Sequence, residues 1–468
     1  VIKRFKRAWM VGGIVLSVPG AAFAQDKGPE NLLPPPPPVV TPAPVTNGAD
    51  GVTAAEPQAI ATPVVQQVDP MVQVWSLADA RALLGVITSI GSEGLEPADY
   101  QPDALRAAIA TGPSDALNQA ASRSFAWLVE DLRDGRTPME DRIQWFVVDP
   151  DPDLYPTGKV MADALATHTI AASLFALNPS NPDYAKLRDA LAETIDPAAR
   201  RLIEANMDRW RWLPRDLGQQ YLITNVPEYQ LRLTVNDQII STYKTIVGKP
   251  GRTATPQLAE QVEGVIFNPT WTVPQSIVKG EGLGTKVLTN PTWAKAAGYK
   301  GWKDPKTGFV TVVQQPGANN SLGLMKLDMP NPHAIFLHDT PARSLFNRDN
   351  RALSHGCIRT ERAQELAITL AILGNLANTP ETRKEAADEA VAISTSGKYT
   401  RVPIEKQMPV YITYFTMGTD IDGNLRQFDD IYDRDAPVLA SFDQPREANR
   451  ARKTSEKVVE IVDDLQTN

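Results

Sequence analysis

The 468-residue chain has one cysteine and four histidines. A single cysteine excludes an internal disulfide and every multi-cysteine zinc framework. The lone thiol is then either a small buried hydrophobe or a reactive group. Long apolar runs are equally scarce. The best one, residues 8–18, falls short of the roughly 20 residues needed to span a bilayer. Nor is there a basic excess: 47 Lys and Arg stand against 55 Asp and Glu, for a formal charge of −8. An acidic chain without a basic block argues against a nucleic-acid partner.

The N-terminus has what an exported chain needs. Lys3, Arg4, Lys6 and Arg7 precede the short apolar run, and Ala22-Phe23-Ala24 is a small-x-small cleavage site. Residues 1–24 therefore read as a secretory signal peptide with a periplasmic destination, an uncleaved anchor being the alternative. Without those four basic residues the formal charge becomes −12. Residues 25–70 include five consecutive prolines at 34–38 and no helical or strand period. They read as a disordered linker and spacer.

Two folded parts follow. Over 71–205, Leu77, Leu83, Leu84, Ile87 and Ile90 recur at helical spacing, as do Phe125, Leu128, Val129 and Leu132 before the stop at Asp134-Gly135. Leu165, Ile170, Leu174 and Leu177 extend the pattern. His168 falls on this amphipathic stretch and reads as structural. From 206 to 435 the pattern turns to strands, with candidates at 221–226, 229–235, 239–247, 262–267, 334–338 and 410–415. Residues 277–313 are rich in Gly, Lys and Trp, contain a hairpin turn at Asp304-Pro-Lys-Thr-Gly308, and read as an insertion over the β core. Residues 436–468 read as a charged, loosely attached tail. The expected class is multidomain α+β, a helical N-terminal domain followed by a mostly β domain.

The chemistry gathers at Ser354-His355-Gly356-Cys357-Ile358-Arg359. Three of the four histidines cluster near Cys357 in sequence: His333 and His338 upstream, His355 in the motif itself. A thiol attacks only as the thiolate, and an imidazole within reach can take its proton. His338 ends a predicted strand, which would hold its ring rigidly. A helix predicted over 361–373 would place Cys357 near its positive end and favour the thiolate. Gly356 would let the backbone approach a substrate, the N–H groups of Gly356 and Cys357 would face an oxyanion, and Arg359 offers a planar fork for a carboxylate. The alternatives are an inert buried cysteine and a zinc site. The close spacing of His355 and Cys357, with no second cysteine, does not suit zinc. Asp420-Ile-Asp422-Gly423-Asn424 resembles the start of a calcium loop but lacks the terminal Glu, so it reads as a turn. No metal and no organic cofactor is expected.

At these residues the sequence resembles the L,D-transpeptidases, whose signature is a His, a spacer, then Ser/Thr-His-Gly-Cys followed by an apolar residue and Arg or Asn. Here the His is His338 and the spacer is the segment 339–353. Trp210-Arg-Trp-Leu-Pro214, Phe267-Asn-Pro-Thr-Trp-Thr-Val-Pro274, Gln315-Pro-Gly317, Gly94-Leu-Glu-Pro97 and Asp131-Leu-Arg-Asp-Gly135 are similar to segments of that family's large branch, which carries an N-terminal helical scaffold. Residues 184–210 leave no room for the glycan-binding module some relatives insert. The resemblance implies Cys357 as nucleophile, His338 as general base and Asp339 as the group that orients it, through its backbone carbonyl. It places Ser354, His355, Gly356, Arg359, Phe336 and Trp271 around the substrate and oxyanion. Phe336 stands where some relatives have a tyrosine. The insertion would be the segment that caps the substrate. The implied substrates are peptidoglycan stem peptides, a tetrapeptide donor and an amine acceptor, joined as 3→3 cross-links. A hydrolase using water in place of the amine, and a non-catalytic wall-binding protein, are the rivals.

Overall fold

The computed structural model describes residues 72–446 apart from 281, 375–378 and 407. The expected signal peptide, the whole of the proline-rich linker and the end of the charged tail lie outside the described residues.

The N-terminal part is helical: α1 (Leu77–Ser89), α2 (Pro102–Thr111), α3 (Asp115–Asp134), α4 (Asp151–Leu154), α5 (Thr157–Thr167), α6 (Ile170–Phe175), α7 (Pro182–Glu193) and α8 (Pro197–Trp210). Capping sets several boundaries. The Ser76 and Ser114 side chains accept from the first-turn N–H groups of α1 and α3, and α3 stops at Gly135. The periodic leucines meet as expected: Leu83, Ile87, Ile90, Phe125, Leu128, Leu132 and Leu174 form one buried cluster. The pattern over 165–177 is not one continuous helix. His168 turns left-handed (φ 54°) and separates α5 from α6, its Nδ1 lying 3.1 Å from the Asp79 carboxylate.

The expected boundary at 205 falls inside α8. Tyr184 and Leu187 of α7 and Ile203 and Trp210 of α8 pack with Tyr221, Ile223, Tyr411 and Phe415 of the β part, so both helices belong to the seam between the halves. Three of the motifs similar to the large branch meet there. Asp208, fully buried, accepts from the Arg136 and Thr137 N–H groups (2.5 and 3.1 Å) and from Trp212 Nε1 (3.0 Å). Arg211 donates to the Glu93 carbonyl and to Tyr184 Oη. These contacts couple the two halves.

The β part comprises β1 (Gln220–Asn225), β2 (Gln230–Val235), β3 (Gln238–Gly248), β4 (Leu258–Gln261), β5 (Gly264–Phe267), β6 (Trp271–Thr272), α9 (Gln275–Gly280), α10 (Leu283–Thr289), α11 (Pro291–Ala296), β7 (Tyr299–Lys303), β8 (Val310–Gln314), β9 (Met325–Asp328), β10 (Leu337–His338), β11 (Ala352–Ser354), β12 (Ile358–Thr360), α12 (Ala363–Gly374), α13 (Pro380–Thr395), β13 (Thr400–Pro403), β14 (Pro409–Thr413), β15 (Met417–Thr419), β16 (Leu425–Gln427) and α14 (Asp435–Ser441). One mixed sheet runs β13-β5-β9-β10-β12-β3-β2-β1-β14-β4, with β11 beside β3. Its alternating apolar residues and α12 form the main core, including Leu231, Leu233, Val265, Phe267, Leu327, Leu337, Ile358 and Leu366. Strand order brings β9, β10 and β12 side by side, although the chain makes long excursions between them.

The insertion folds as a separate cap. Helices α9–α11 lie on a small β6-β8-β7 sheet around a core of Trp271, Ile277, Val287, Tyr299 and Val312. Residues 304–308 form the expected hairpin turn, with Asp304 N bonded to Phe309 O. Asp420 to Asn424 is likewise the turn between β15 and β16, the Asp420 carboxylate accepting from the Asp422 and Asn424 N–H groups.

The beginning of the tail is not loose. Asp435 pairs with the buried Arg209 at 2.6 Å, Val438 is buried, and Arg446 pairs with Asp131 (2.9 Å) and Glu130 (2.5 Å). The charged composition hid this because each charge that enters the interior meets a partner already there. Removing one partner of a buried pair strands the other, at a cost of about 3–5 kcal/mol. Asp435→Ala should therefore lower unfolding free energy by about 3 kcal/mol in denaturant titrations. A loss below about 0.5 kcal/mol, the usual surface value, would show a loosely attached segment.

Candidate active site

Strand pairing places the expected nucleophile and base together. In β10, His338 is the register partner of Lys326 on β9 and of Arg359 on β12. Adjacent strands are about 4.8 Å apart, and residues in register point to the same face. One row thus holds a cation, an imidazole and a second cation. One step before the paired Leu337 and Ile358, Phe336 stands opposite Cys357, and the Ile358 N–H donates to the Phe336 carbonyl at 3.1 Å. Two-residue alternation puts Phe336 and His338 on one face, with Cys357 and Arg359 beside them.

Cys357 does not open a helix. It lies in a turn between β11 and β12, and α12 begins only at Ala363, so no helix end supports its thiolate. The turn is fixed by hydrogen bonds. Ser354 Oγ donates to the Cys357 carbonyl (2.6 Å) and accepts from the Gly356 N–H (3.1 Å). Ser354 is therefore a clamp on the turn, and the Gly356 N–H, expected at an oxyanion, is already engaged. Gly356 has φ 121°, a conformation that L side chains rarely adopt, so glycine is required there for the backbone itself. Thr255 Oγ1 supports the turn from below. It donates to the Gly356 carbonyl (2.8 Å) and accepts from the Gly248 N–H (2.8 Å). Gly248 permits that approach, because a Cβ there would lie 1.9 Å from the Thr253 carbonyl oxygen. Tyr432 and Arg434 complete the support: Tyr432 Oη donates to the Gly248 carbonyl at 2.6 Å, and Arg434 Nη2 to the Thr255 carbonyl at 3.1 Å.

The imidazole is held as a neutral base. His338 is fully buried, and its Nδ1 donates to the Asp339 carbonyl at 2.5 Å. That bond fixes the tautomer and leaves Nε2 with its lone pair. Burial, then the Arg359 charge, depresses the imidazole to about 3, while the Asp339 carbonyl pulls the other way. The Asp339 carboxylate has a different task. It accepts from the Leu324 N–H (2.8 Å) and from Arg343 (3.1 Å), tying the strand end to the neighbouring loop. Burial also pushes the Cys357 thiol up, to about 11, against the Phe336 N–H and the charges of Lys326 and Arg359. The resting pair is thus neutral thiol and neutral imidazole. The thiol donates weakly to the Ala334 carbonyl at 3.6 Å.

The remaining residues divide. Arg359, 9% exposed, shares the row with His338, and His355 is buried in the turn. Phe336 packs against both the sheet core and the cap core, and lies 5.5 Å from the His338 ring between centroids. Trp271 is a correction: it is 4% exposed and built into the cap core instead of being presented to a ligand. His333 packs against Phe146 of the segment between α3 and α4, with centroids 4.0 Å apart.

Sequence reasoning missed three residues. Lys326 stands beside His338, and alternation in Met325-Lys-Leu-Asp328 was the available signal. Thr255 gave none, being a lone threonine in a loop. Asn331 folds the 329–335 loop by donating to the Met329 and Ile335 carbonyls (2.8 and 2.7 Å) and accepting from the His333 and Ile335 N–H groups (3.2 and 3.1 Å). This loop carries the Ala334 carbonyl to the thiol.

Alkylation of Cys357 by iodoacetamide, followed against pH without substrate, tests the neutral pair. A thiol near 11 should react slowly at pH 7 and faster with each pH step to at least 10. A plateau already reached by pH 7 would show a resting thiolate and contradict the neutral pair.

The model of the L,D-transpeptidase catalytic domain matches residues 219–412, and that of the scaffold domain matches residues 73–191. A Haemophilus influenzae protein named as a candidate L,D-transpeptidase is 32% identical over 231 residues, 46% of this chain and 45% of its own length. The chain thus spans about half the length of that curated relative. Among solved structures, an L,D-transpeptidase from Mycobacterium smegmatis aligns at 12% identity over 42% of this chain and 58% of its own, with TM-score 0.20. A mutant L,D-transpeptidase of Enterococcus faecium aligns at 14% over 43% and 52%, also with TM-score 0.20. With the His338 and Cys357 signature inside the first matched segment and the helical cluster inside the second, residues 219–412 form a catalytic domain of the L,D-transpeptidase family and residues 73–191 a scaffold domain ahead of it.

Proposed function

We propose that the protein is an exported, periplasmic cysteine acyltransferase that forms 3→3 cross-links between peptidoglycan stem peptides. The observation that carries this reading is the register of β10 and β12, which sets Cys357 beside an imidazole whose Nδ1 is already committed to the Asp339 carbonyl.

The reaction has two halves. Nε2 of His338 takes the thiol proton as Cys357 Sγ attacks the carbonyl between the third stem residue and the terminal D-Ala. Proton transfer and attack are coupled, because neither thiolate nor imidazolium is stable alone in this buried pair. The tetrahedral intermediate carries an oxyanion. Phe336 has no hydroxyl and the Gly356 N–H is engaged, so the Cys357 N–H is left to donate to it. The imidazolium then protonates D-Ala as it leaves, giving a thioester. The side-chain amine of a second stem attacks this thioester, His338 accepts its proton, and the thiol is regenerated. The cap closes over the site and excludes water, which favours the amine. Six lysines against two acidic residues over 275–314 suit a cap that meets acidic stems.

Incubation of the protein with disaccharide tetrapeptide, read by mass, tests the reading. Wild type should release D-Ala and give a 3→3 dimer. Cys357→Ala should give neither while keeping its thermal transition. Tripeptide and D-Ala without dimer would make the protein a carboxypeptidase and overturn the transferase.

A further inference from the structure

Lys326 has features that the mechanism does not need of a structural lysine. It is partly buried on a central strand, in register with His338, where an apolar residue would pack without cost. Its Nζ lies 4.3 Å from the centre of the Phe336 ring, so the side chain is directed along the face that carries Phe336 and His338. Among the described residues it forms no ion pair. Two carboxylates close to the row in sequence are committed elsewhere. Asp328, two residues along, pairs with Arg401 at 2.5 Å, and Asp339 is bound to the Leu324 N–H and Arg343. Arg359 holds the other end of the row. Two cations therefore flank a neutral imidazole and a neutral thiol, and no carboxylate of the described residues balances Lys326. Such an arrangement is built for an anion that arrives with a ligand.

We propose that Lys326, together with Arg359, holds the terminal carboxylate of the donor stem and so makes Lys326 a specificity-determining residue. The assignment rests on the acyl-transfer reading for the identity of the donor. In a stem peptide cut before its last residue, the charged group nearest the scissile carbonyl is the carboxylate of the leaving amino acid. Seated between the cations, it would meet the Lys326 charge, which no carboxylate of the described residues pairs. It would also cancel the positive charge that opposes protonation of His338. A donor with its carboxylate in place thus meets a better base than the empty site offers, and a chain lacking that group does not.

The test separates binding from chemistry. Binding of two disaccharide tetrapeptides, one ending in a free carboxylate and one in a carboxamide, is measured by calorimetry on full-length Cys357→Ala protein. The carboxylate donor should bind about tenfold more tightly, the scale of one charge-assisted hydrogen bond. Adding Lys326→Met should remove most of that preference and leave carboxamide binding within about twofold, whereas Lys326→Arg should keep it. Equal affinities for the two donors in the Cys357→Ala protein would overturn the proposal even if Lys326→Met did not fold. So would equal losses on both donors in Lys326→Met. In wild type, D-Ala release is followed in parallel. A Lys326-dependent preference without any release would leave the carboxylate site standing and overturn the acyl-transfer reading instead.

Discussion

The site depends on one strand pairing. Leu337-His338 and Ile358-Arg359 run parallel and in register, and a parallel pair cannot be joined by a tight turn. The chain must travel away and return, and the segment between them does so through the loop at 339–351 and β11. The spacer in the sequence signature is the length of that return. A slip of one residue in the pairing would send Cys357 to the opposite face from His338. The groups beneath the turn, Thr255, Gly248, Ser354 and Tyr432, hold that register against such a slip.

The same pairing explains why the site rests in a neutral state. Buried in the centre of a sheet, neither thiolate nor imidazolium is solvated. The thiol is not activated in advance by a helix end. In the proposed reaction it becomes a nucleophile only when a carbonyl is present to receive the charge, with an imidazole of fixed tautomer at hand. A thiol kept neutral in this way is shielded from unproductive oxidation.

Much of this was legible in the sequence, unevenly. The helical cluster, the strand-rich half, the insertion with its hairpin and the nearness of His338 to Cys357 followed from periodicity, turn residues and spacing. What failed were inferences about what a residue touches. Cys357 was placed at a helix start because α12 follows closely, but the whole of β12 and a turn intervene. The resemblance puts Ser354 at the substrate and the small size of Gly356 suggests a ligand approach, whereas Ser354 bonds the turn and Gly356 supplies its φ. Trp271, which the resemblance puts around the substrate, is the cap's own core. The residues after 435 looked loose because charge on a linear sequence carries no sign of its partner. Lys326 and Thr255 reach the site from other strands and loops, and only the tertiary register brings them there.

The central claim is that Cys357 becomes acylated with His338 as its base. Intact-protein and peptide mass spectrometry after rapid mixing with tetrapeptide donor, without acceptor, tests it most directly. The account predicts an acyl adduct on the Cys357 peptide that hydroxylamine removes, and none in His338→Gln. Release of D-Ala with no adduct on Cys357, or undiminished acylation in His338→Gln, would contradict it.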